Sequence, residues 1–290
     1  MRHIRAIPFA RRIVLLTILF LVAVYAGNAV ILGHYYGVLA ERERDARDAR
    51  AALLAEHAGR ALAAVDLSLR SIADGLKARL PLDKPTIFTQ LLLDKYIKAL
   101  PEVHGIFVLD ADGHDINSSS SFPPPALNAS DRMYFSEQKK WLGTGLYLDR
   151  LQVSRVDHRV VFTVSRPILD NNGNFEGVVA AVIDPAYFSD FYGRRGGQQG
   201  NVVLLERDDG AILAGTGLSD QDLAEGDLKS LSKHAKAYST HAKVHGFPAR
   251  IVVIGNPTIT SPQFLGFCAM DAGLLLVMTI IAWWLANAAA

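Results

Sequence analysis

The residues best suited to chemistry fall in one stretch that is polar and aromatic at once. Ser130-Asp131-Arg132-Met133-Tyr134-Phe135 reads as an N-capped helical turn, and Tyr147-Leu148-Asp149 follows on an extended segment. The apolar run Val160–Pro167 carries Ser165 and Arg166 near its end, and Gly177–Asp184 finishes on a lone carboxylate. An arginine grips a carboxylate through two parallel hydrogen bonds, while an aspartate receives an ammonium group. Aromatic faces beside them attract cations and exclude water. Arg132, Tyr134, Phe135, Tyr147, Asp149, Ser165, Arg166 and Asp184 are thus the candidate ligand-binding residues, and a small zwitterion would suit them. The same residues carry a structural reading. Arg132 can pair with Asp131 or Asp149, and Asp184 can cap a helix opening at Pro185.

Catalytic signatures do not accompany this cluster. The chain holds no GxSxG, HExxH, CxxC, GxxxxGK[ST] or GxGxxG. The expectation is a protein that is not an enzyme, with no cofactor and no metal. Asp110-Ala-Asp112-Gly113-His-Asp115 hints at a calcium loop, but its glycine comes fourth and the closing glutamate is missing, so a hairpin turn fits better. His241 and His245 have the i, i+4 spacing of a helical metal clip without a third ligand nearby.

The elements that must position the cluster follow from periodicity. Residues 37–80 read as one long helix. Its charged opening (residues 41–50) is a solvated face, and beyond it Leu53, Leu54, His57, Ala61, Leu62, Val65, Leu67, Leu69, Ile72 and Leu76 recur mostly at three- and four-residue steps. A second helix spans about 84–100. After Pro101 the period changes to that of strands. Apolar runs break at Asp112-Gly113, Asn172-Gly173 and Asp209-Gly210, each a hairpin signature. The first and third align at a fixed offset, Ile106, Phe107 and Val108 matching Val203, Leu204 and Leu205, which points to two similar units in tandem. Gly193 to Gly200 is the natural linker between them.

Two apolar stretches flank this region. Ile13–Gly33 has no charge and, at about 21 residues, is long enough to cross a bilayer as a helix. It exceeds the 7–15 residues usual in a cleaved signal peptide, so an uncleaved anchor is the reading taken. The second span, 264–286, holds one charge, Asp271, placed near the outer water boundary, with Trp283 and Trp284 at the opposite interface. Arg2, Arg5, Arg11 and Arg12 precede the first span without an acid and hold the N-terminus in the cytoplasm. The segment between the spans is then exported. The only cysteine, Cys268, lies in the second span, so the exported part has no disulfide and must be held by its core. Across 290 residues the net charge is +1, which gives no reason to expect nucleic acid as a partner.

In SDRMYF, TVSRPILDNNGNFEGVVAAVIDPAYFSDFY and NVVLLERDDGAILAG the chain resembles the double Cache family, PAS-like extracytoplasmic sensor domains of bacterial transmembrane signalling proteins. The resemblance covers about 34–263. It implies an α+β fold with two tandem PAS-like antiparallel-sheet units on the long helix, the ligand pocket in the membrane-distal one. Amino-acid-binding members carry Arg-x-Trp-Tyr, a later Tyr-x-Asp and a strand-terminal Asp. Arg132, Tyr147, Asp149 and Asp184 match these, whereas Tyr134 stands for the Trp, Phe135 for the Tyr, and an upstream Tyr falls near Leu127.

The expected organisation is a cytoplasmic N-terminus (1–12), a first transmembrane helix (13–33), a periplasmic sensor (34–263), a second transmembrane helix (264–286) and a cytoplasmic stub (287–290). Within the sensor, the distal unit occupies about 80–190 and the proximal unit about 200–258. The expected function is small-molecule sensing of an amino acid, amine or carboxylate, in a multi-pass protein of the bacterial inner membrane. A homodimer is expected. Such sensors normally continue into an output domain, which here would be truncated or supplied by a separate cytoplasmic protein. The alternative is an envelope protein–protein interaction module with no small-molecule ligand.

Overall fold

The structure, a computed structural model, describes residues 9–140, 145–195, 202–216, 239–255 and 262–288. Part of the expected linker (196–200), the outermost N-terminal residues and parts of the expected proximal unit (217–238, 256–258) lie outside the described residues. The chain divides into two units, one formed by 1–46 with 256–290 and the other by 47–255.

Helix α1 (Phe9–Lys77) contributes to both units, and the other unit-one helix, α5, runs Pro262–Ala288. Each has a segment long and apolar enough to cross a membrane. Their contacts within unit one include polar and aromatic ones. Asn28 Nδ2 donates to Asp271 Oδ1 at 2.6 Å, Tyr25 and Thr279 share a hydroxyl bond at 2.8 Å, and the Tyr35 and Phe267 rings stack.

In the second unit α1 lays one stripe against the sheets. Leu54, Ala58, Leu62, Val65, Leu69, Ile72 and Leu76 are all fully buried, at steps of three and four. Leu53 and Leu67, which the sequence places on the same stripe, are 54% and 65% exposed instead. Each turns well off the buried line at 100° per residue, so they face solvent. Helix α2 is Ile87–Ile97, shorter than expected at both ends. Pro85 holds Lys84 out of helical geometry, and Thr86 is the N-cap, its hydroxyl accepting from Thr89 N.

The described strands form two antiparallel sheets. The first contains β1 (Val103–Asp110), β2 (Asp115–Ser118), β3 (Tyr147–Leu148), β5 (Val160–Leu169) and β6 (Phe175–Ile183) in the order β2-β1-β6-β5-β3, with β4 (Gln152–Val153) also pairing β5. The second orders β7 (Val202–Arg207), β8 (Ile212–Gly215), β9 (Ser239–Lys243) and β10 (Ala249–Ile254) as β8-β7-β10-β9. Helix α3 (Met133–Lys140) precedes β3, and α4 (Pro185–Arg195) follows β6.

The internal repeat extends to single hydrogen bonds. Phe107↔Ser118, Val108↔Asn117 and Leu109↔Asp115 in the first hairpin correspond to Leu204↔Gly215, Leu205↔Ala214 and Glu206↔Ile212 in the third, each register breaking at the same step. Ser119 Oγ accepts from Ile106 N, just as Thr216 Oγ1 accepts from Val203 N. His241 sits on β9 and His245 in the turn after it, so their helical spacing does not arise.

Candidate ligand-binding site

Alternation along the first sheet sorts its side chains onto two faces. Ile106, Val108, Phe162, Val164, Val179, Ala181 and Ile183 join the main core with α1 and α4. Phe107, Leu109, Val178 and Ala180 belong to the other face, where Tyr134 and Phe135 of α3 and Ala129 pack against them. A cavity of about 130 Å³ opens on this second face. That is close to the size of an engineered apolar cavity of about 150 Å³ that accepts benzene. Its walls are mainly apolar, from Phe107, Leu109, Leu127, Tyr134, Val161 and Val182, with Asp115, Arg132, Gln152 and Thr163 among them.

Arg132, just ahead of α3, reaches across to β4. Its Nη1 donates to Gln152 Oε1 at 2.8 Å and its Nη2 to Val153 O at 3.2 Å. Gln152 Nε2 donates in turn to Thr163 Oγ1 (3.1 Å) and Asp149 Oδ2 (3.4 Å). Gln152 therefore bridges Arg132 and Asp149. Asp149 is buried, which pushes its carboxyl above the usual carboxylate range, against the pull of Arg150 N on Oδ1. Asp131 pairs with Arg155 through both oxygens, at 3.0 and 2.5 Å. Burial drives the Tyr134 hydroxyl up to about 12 while its ring meets Phe107 edge-on.

Asp115 and Asp157 are the two carboxylates among the described lining residues, and Asp115 faces the apolar side. Asp115 opens β2 opposite Leu109, and its Oδ1 is buried without a hydrogen-bond partner among the described residues. Burial raises its pKa to about 7.

Residues 41–259 match the Cache domain family. The chain belongs to that family. The Cache domain here is similar to the extracellular domain of rpHK1S-Z16, assigned as a histidine kinase, with 25% identity and a TM-score of 0.59 over 79% of this chain and 98% of that one. It shares its fold with the ligand-binding domain of the Pseudomonas fluorescens chemoreceptor CtaA in complex with L-isoleucine, at 14% identity and a TM-score of 0.61, covering 80% of this chain and 98% of the other. Sporulation kinase D of Bacillus subtilis (strain 168) is 23% identical over 168 residues, 57% of this chain and 32% of the kinase. The chain thus spans about a third of that relative's length.

Of the residues singled out in the sequence, this Cache domain brings Arg132 and Tyr134 to the cavity, and Asp149 reaches its wall through Gln152. Phe135 is buried behind it against Phe175. Ser165 is fully buried, its hydroxyl donating to Tyr134 O at 2.7 Å while Gln138 Nε2 donates to its carbonyl, also at 2.7 Å. Tyr147 lies under the Arg207 guanidinium, whose Nη1 donates to Leu148 O and so ties β3 to the second sheet. Arg166 points to the opposite face of β5 and bonds Asp66 of α1. Asp184 caps α4, accepting from Ala186 N at 2.8 Å, and is not part of the cavity lining. Arg132 and Asp184 therefore do not face each other across this cavity.

Asp115, Gln152 and Thr163 are absent from the ligand-binding residues that the sequence suggests, where Asp115 appears only in the turn that hints at calcium. The one available signal was a carboxylate cross-strand from Leu109 in the Gly113 hairpin. Its energetics give a prediction. The folded state keeps the Asp115 proton to about pH 7, whereas an unfolded chain releases it near the ordinary aspartate value of 3.8. Between those limits the native state binds more protons, so stability falls as pH rises and stays lower above pH 7. Asp115→Asn is expected to leave the melting temperature unchanged near pH 4 and to raise stability at pH 8 by about 1–2 kcal/mol, less than the full shift because the group stays partly hydrated. Thermal unfolding at the two pH values checks it.

Proposed function

We propose that this Cache domain is the extracytoplasmic part of a membrane-anchored sensor that binds a small molecule, an amino acid, amine or carboxylate, between α3 and the first sheet. One observation carries the reading. A mainly apolar cavity on the α3 face holds a carboxylate with an unpartnered buried oxygen and a guanidinium hydrogen-bonded to a neutral amide and a carbonyl. Apolar walls with a few convergent polar groups are the usual composition of a small-molecule site. The shared fold with CtaA, whose ligand-binding domain is in complex with L-isoleucine, supports the same class of ligand.

The two apolar helical segments and the basic N-terminal flank support anchorage in the inner membrane with the sheets on the periplasmic side. A ligand that prefers one arrangement of α1 over another would shift that equilibrium and pass the signal toward a cytoplasmic output protein or domain, in a homodimer. The role is sensory rather than catalytic.

The test uses the full chain in lipid nanodiscs with L-isoleucine, 3-methylbutylamine and 3-methylbutanoate as probes. At about a hundredfold excess over Kd a ligand adds about 2.7 kcal/mol of stability. Arg132→Ala, which releases Gln152 and Val153 of β4 from the cavity wall, is expected to abolish that shift, and Asp184→Ala to lose about 1 kcal/mol of basal stability as a missing cap while keeping the ligand shift. If no probe stabilises the wild-type chain, the receptor reading fails.

A further inference from the structure

We infer that Asp115 is the specificity-determining residue of this cavity and that it selects a compact ligand bearing a primary ammonium group. The inference rests on the cavity being the ligand site, as proposed above.

The charged groups of the lining can be taken one at a time. Arg155 is held by Asp131. Asp157 is bonded by His104 Nε2 at 2.7 Å and approached by Arg159 at 3.8 Å. Arg132 is spread over Gln152 and Val153 O, both neutral. Asp115 stands apart from all of them. Its flanking wall is Leu109, and although the Asn117 backbone donates to the carboxyl, its Oδ1 has no hydrogen-bond partner among the described residues. A carboxylate with a buried oxygen left this way is costly, and a group that neutralises it recovers part of that cost. An ammonium does so with a charge-assisted hydrogen bond. The Tyr134 and Phe107 rings, which meet edge-on beside it, add an aromatic wall that favours a cation.

An anionic ligand meets the reverse situation. Above about pH 7, where Asp115 is ionised, the ligand's carboxylate would lose hydration beside a like charge, and Arg132 would have to give up its hold on Gln152 to bind it with both arms. The amine, rather than the carboxylate of a zwitterion, is therefore the group that selects. The cavity volume suits an apolar body about the size of a benzene ring.

The test measures binding of 3-methylbutylamine, L-isoleucine and 3-methylbutanoate to the full chain in nanodiscs, by calorimetry and thermal shift, for the wild type, Asp115→Asn and Asp115→Glu. The wild type is expected to bind the amine at least about tenfold more tightly than 3-methylbutanoate. Asp115→Asn is expected to lose at least about tenfold in amine affinity, and Asp115→Glu, which restores the charge, to keep the preference for the amine over 3-methylbutanoate. Because Asn removes an unpaired charge, the variant folds, and its unliganded melting curve verifies that. Undiminished amine binding in Asp115→Asn overturns the inference, and so does 3-methylbutanoate binding as tightly as the amine. If L-isoleucine or 3-methylbutanoate stabilises the wild type and the amine does not, the sensor reading stands and the role of Asp115 falls. If none of the three shifts the wild type, both fall.

Discussion

Gly177→Ala is expected to destabilise the two-sheet unit by about 3–5 kcal/mol, the summed cost of backbone strain and of a clash that neither strand can relieve by rotating a side chain. Gly177 sits on β6 opposite Asp110 with φ +153°, a conformation that L side chains rarely adopt. A methyl group built there lies 2.1 Å from Leu109 O and 3.2 Å from Leu109 C. Both are backbone atoms of the neighbouring strand, so β1 itself must retreat. That strand carries Phe107 and Leu109 into the cavity wall, and ligand binding should fall together with stability. Gly173 is the control. It also has positive φ, +87°, but nothing lies within 4 Å of its added methyl, so Gly173→Ala should cost only about 1 kcal/mol of backbone strain. Thermal unfolding separates them, at about 2–4 °C per kcal/mol for a unit of this size. Equal losses in the two variants would show that the approach of β1 to β6 is not what limits position 177.

Much of this architecture is legible because its signals are long or chemically rigid. The α1 stripe repeats over more than twenty residues, so two wrong members, Leu53 and Leu67, do not blur it. The Gly113, Gly173 and Gly210 turns all have positive φ, which glycine tolerates at no steric cost, and so each hairpin can be placed from sequence. The site is harder. Strands β3 and β4 are two residues each, too short for alternation to reveal a face, and β4 is what carries Gln152 to Arg132. Some of the rest was available in principle. Ser165 and Arg166 are neighbours on one strand, so their side chains must point to opposite faces and cannot line one cavity. Asp115 reads in sequence as a polar residue after a turn. Only the register across from Leu109 places it against an apolar wall.

Removing either half of the Arg166–Asp66 pair should be nearly as costly as the glycine change, about 3–5 kcal/mol, because it strands a buried charge. Arg166 Nε meets Asp66 Oδ1 at 2.5 Å and its Nη2 meets Oδ2 at 3.1 Å, with side-chain exposures of only 11% and 17%. Arg70 also reaches Asp66, at 3.2 Å, but from a largely exposed side chain, so it replaces little of what Arg166 supplies. The pair ties β5 to α1 across 100 residues of sequence. On the other face of the same strand Thr163 lines the cavity and Ser165 bonds the first turn of α3. One strand thus touches the proposed ligand site on one side and the proposed signalling helix on the other. Arg166→Met with Asp66→Leu removes both charges and should recover most of the stability lost by either single change, since two apolar groups leave only the exposed Arg70 without its Asp66 contact. If that double variant still binds 3-methylbutylamine, its unliganded fold is sound, and any loss of signalling belongs to the broken tie between β5 and α1. A double variant no more stable than the two singles combined would mean that the pair contributes little energy of its own and that β5 is held to α1 by the surrounding aliphatic core.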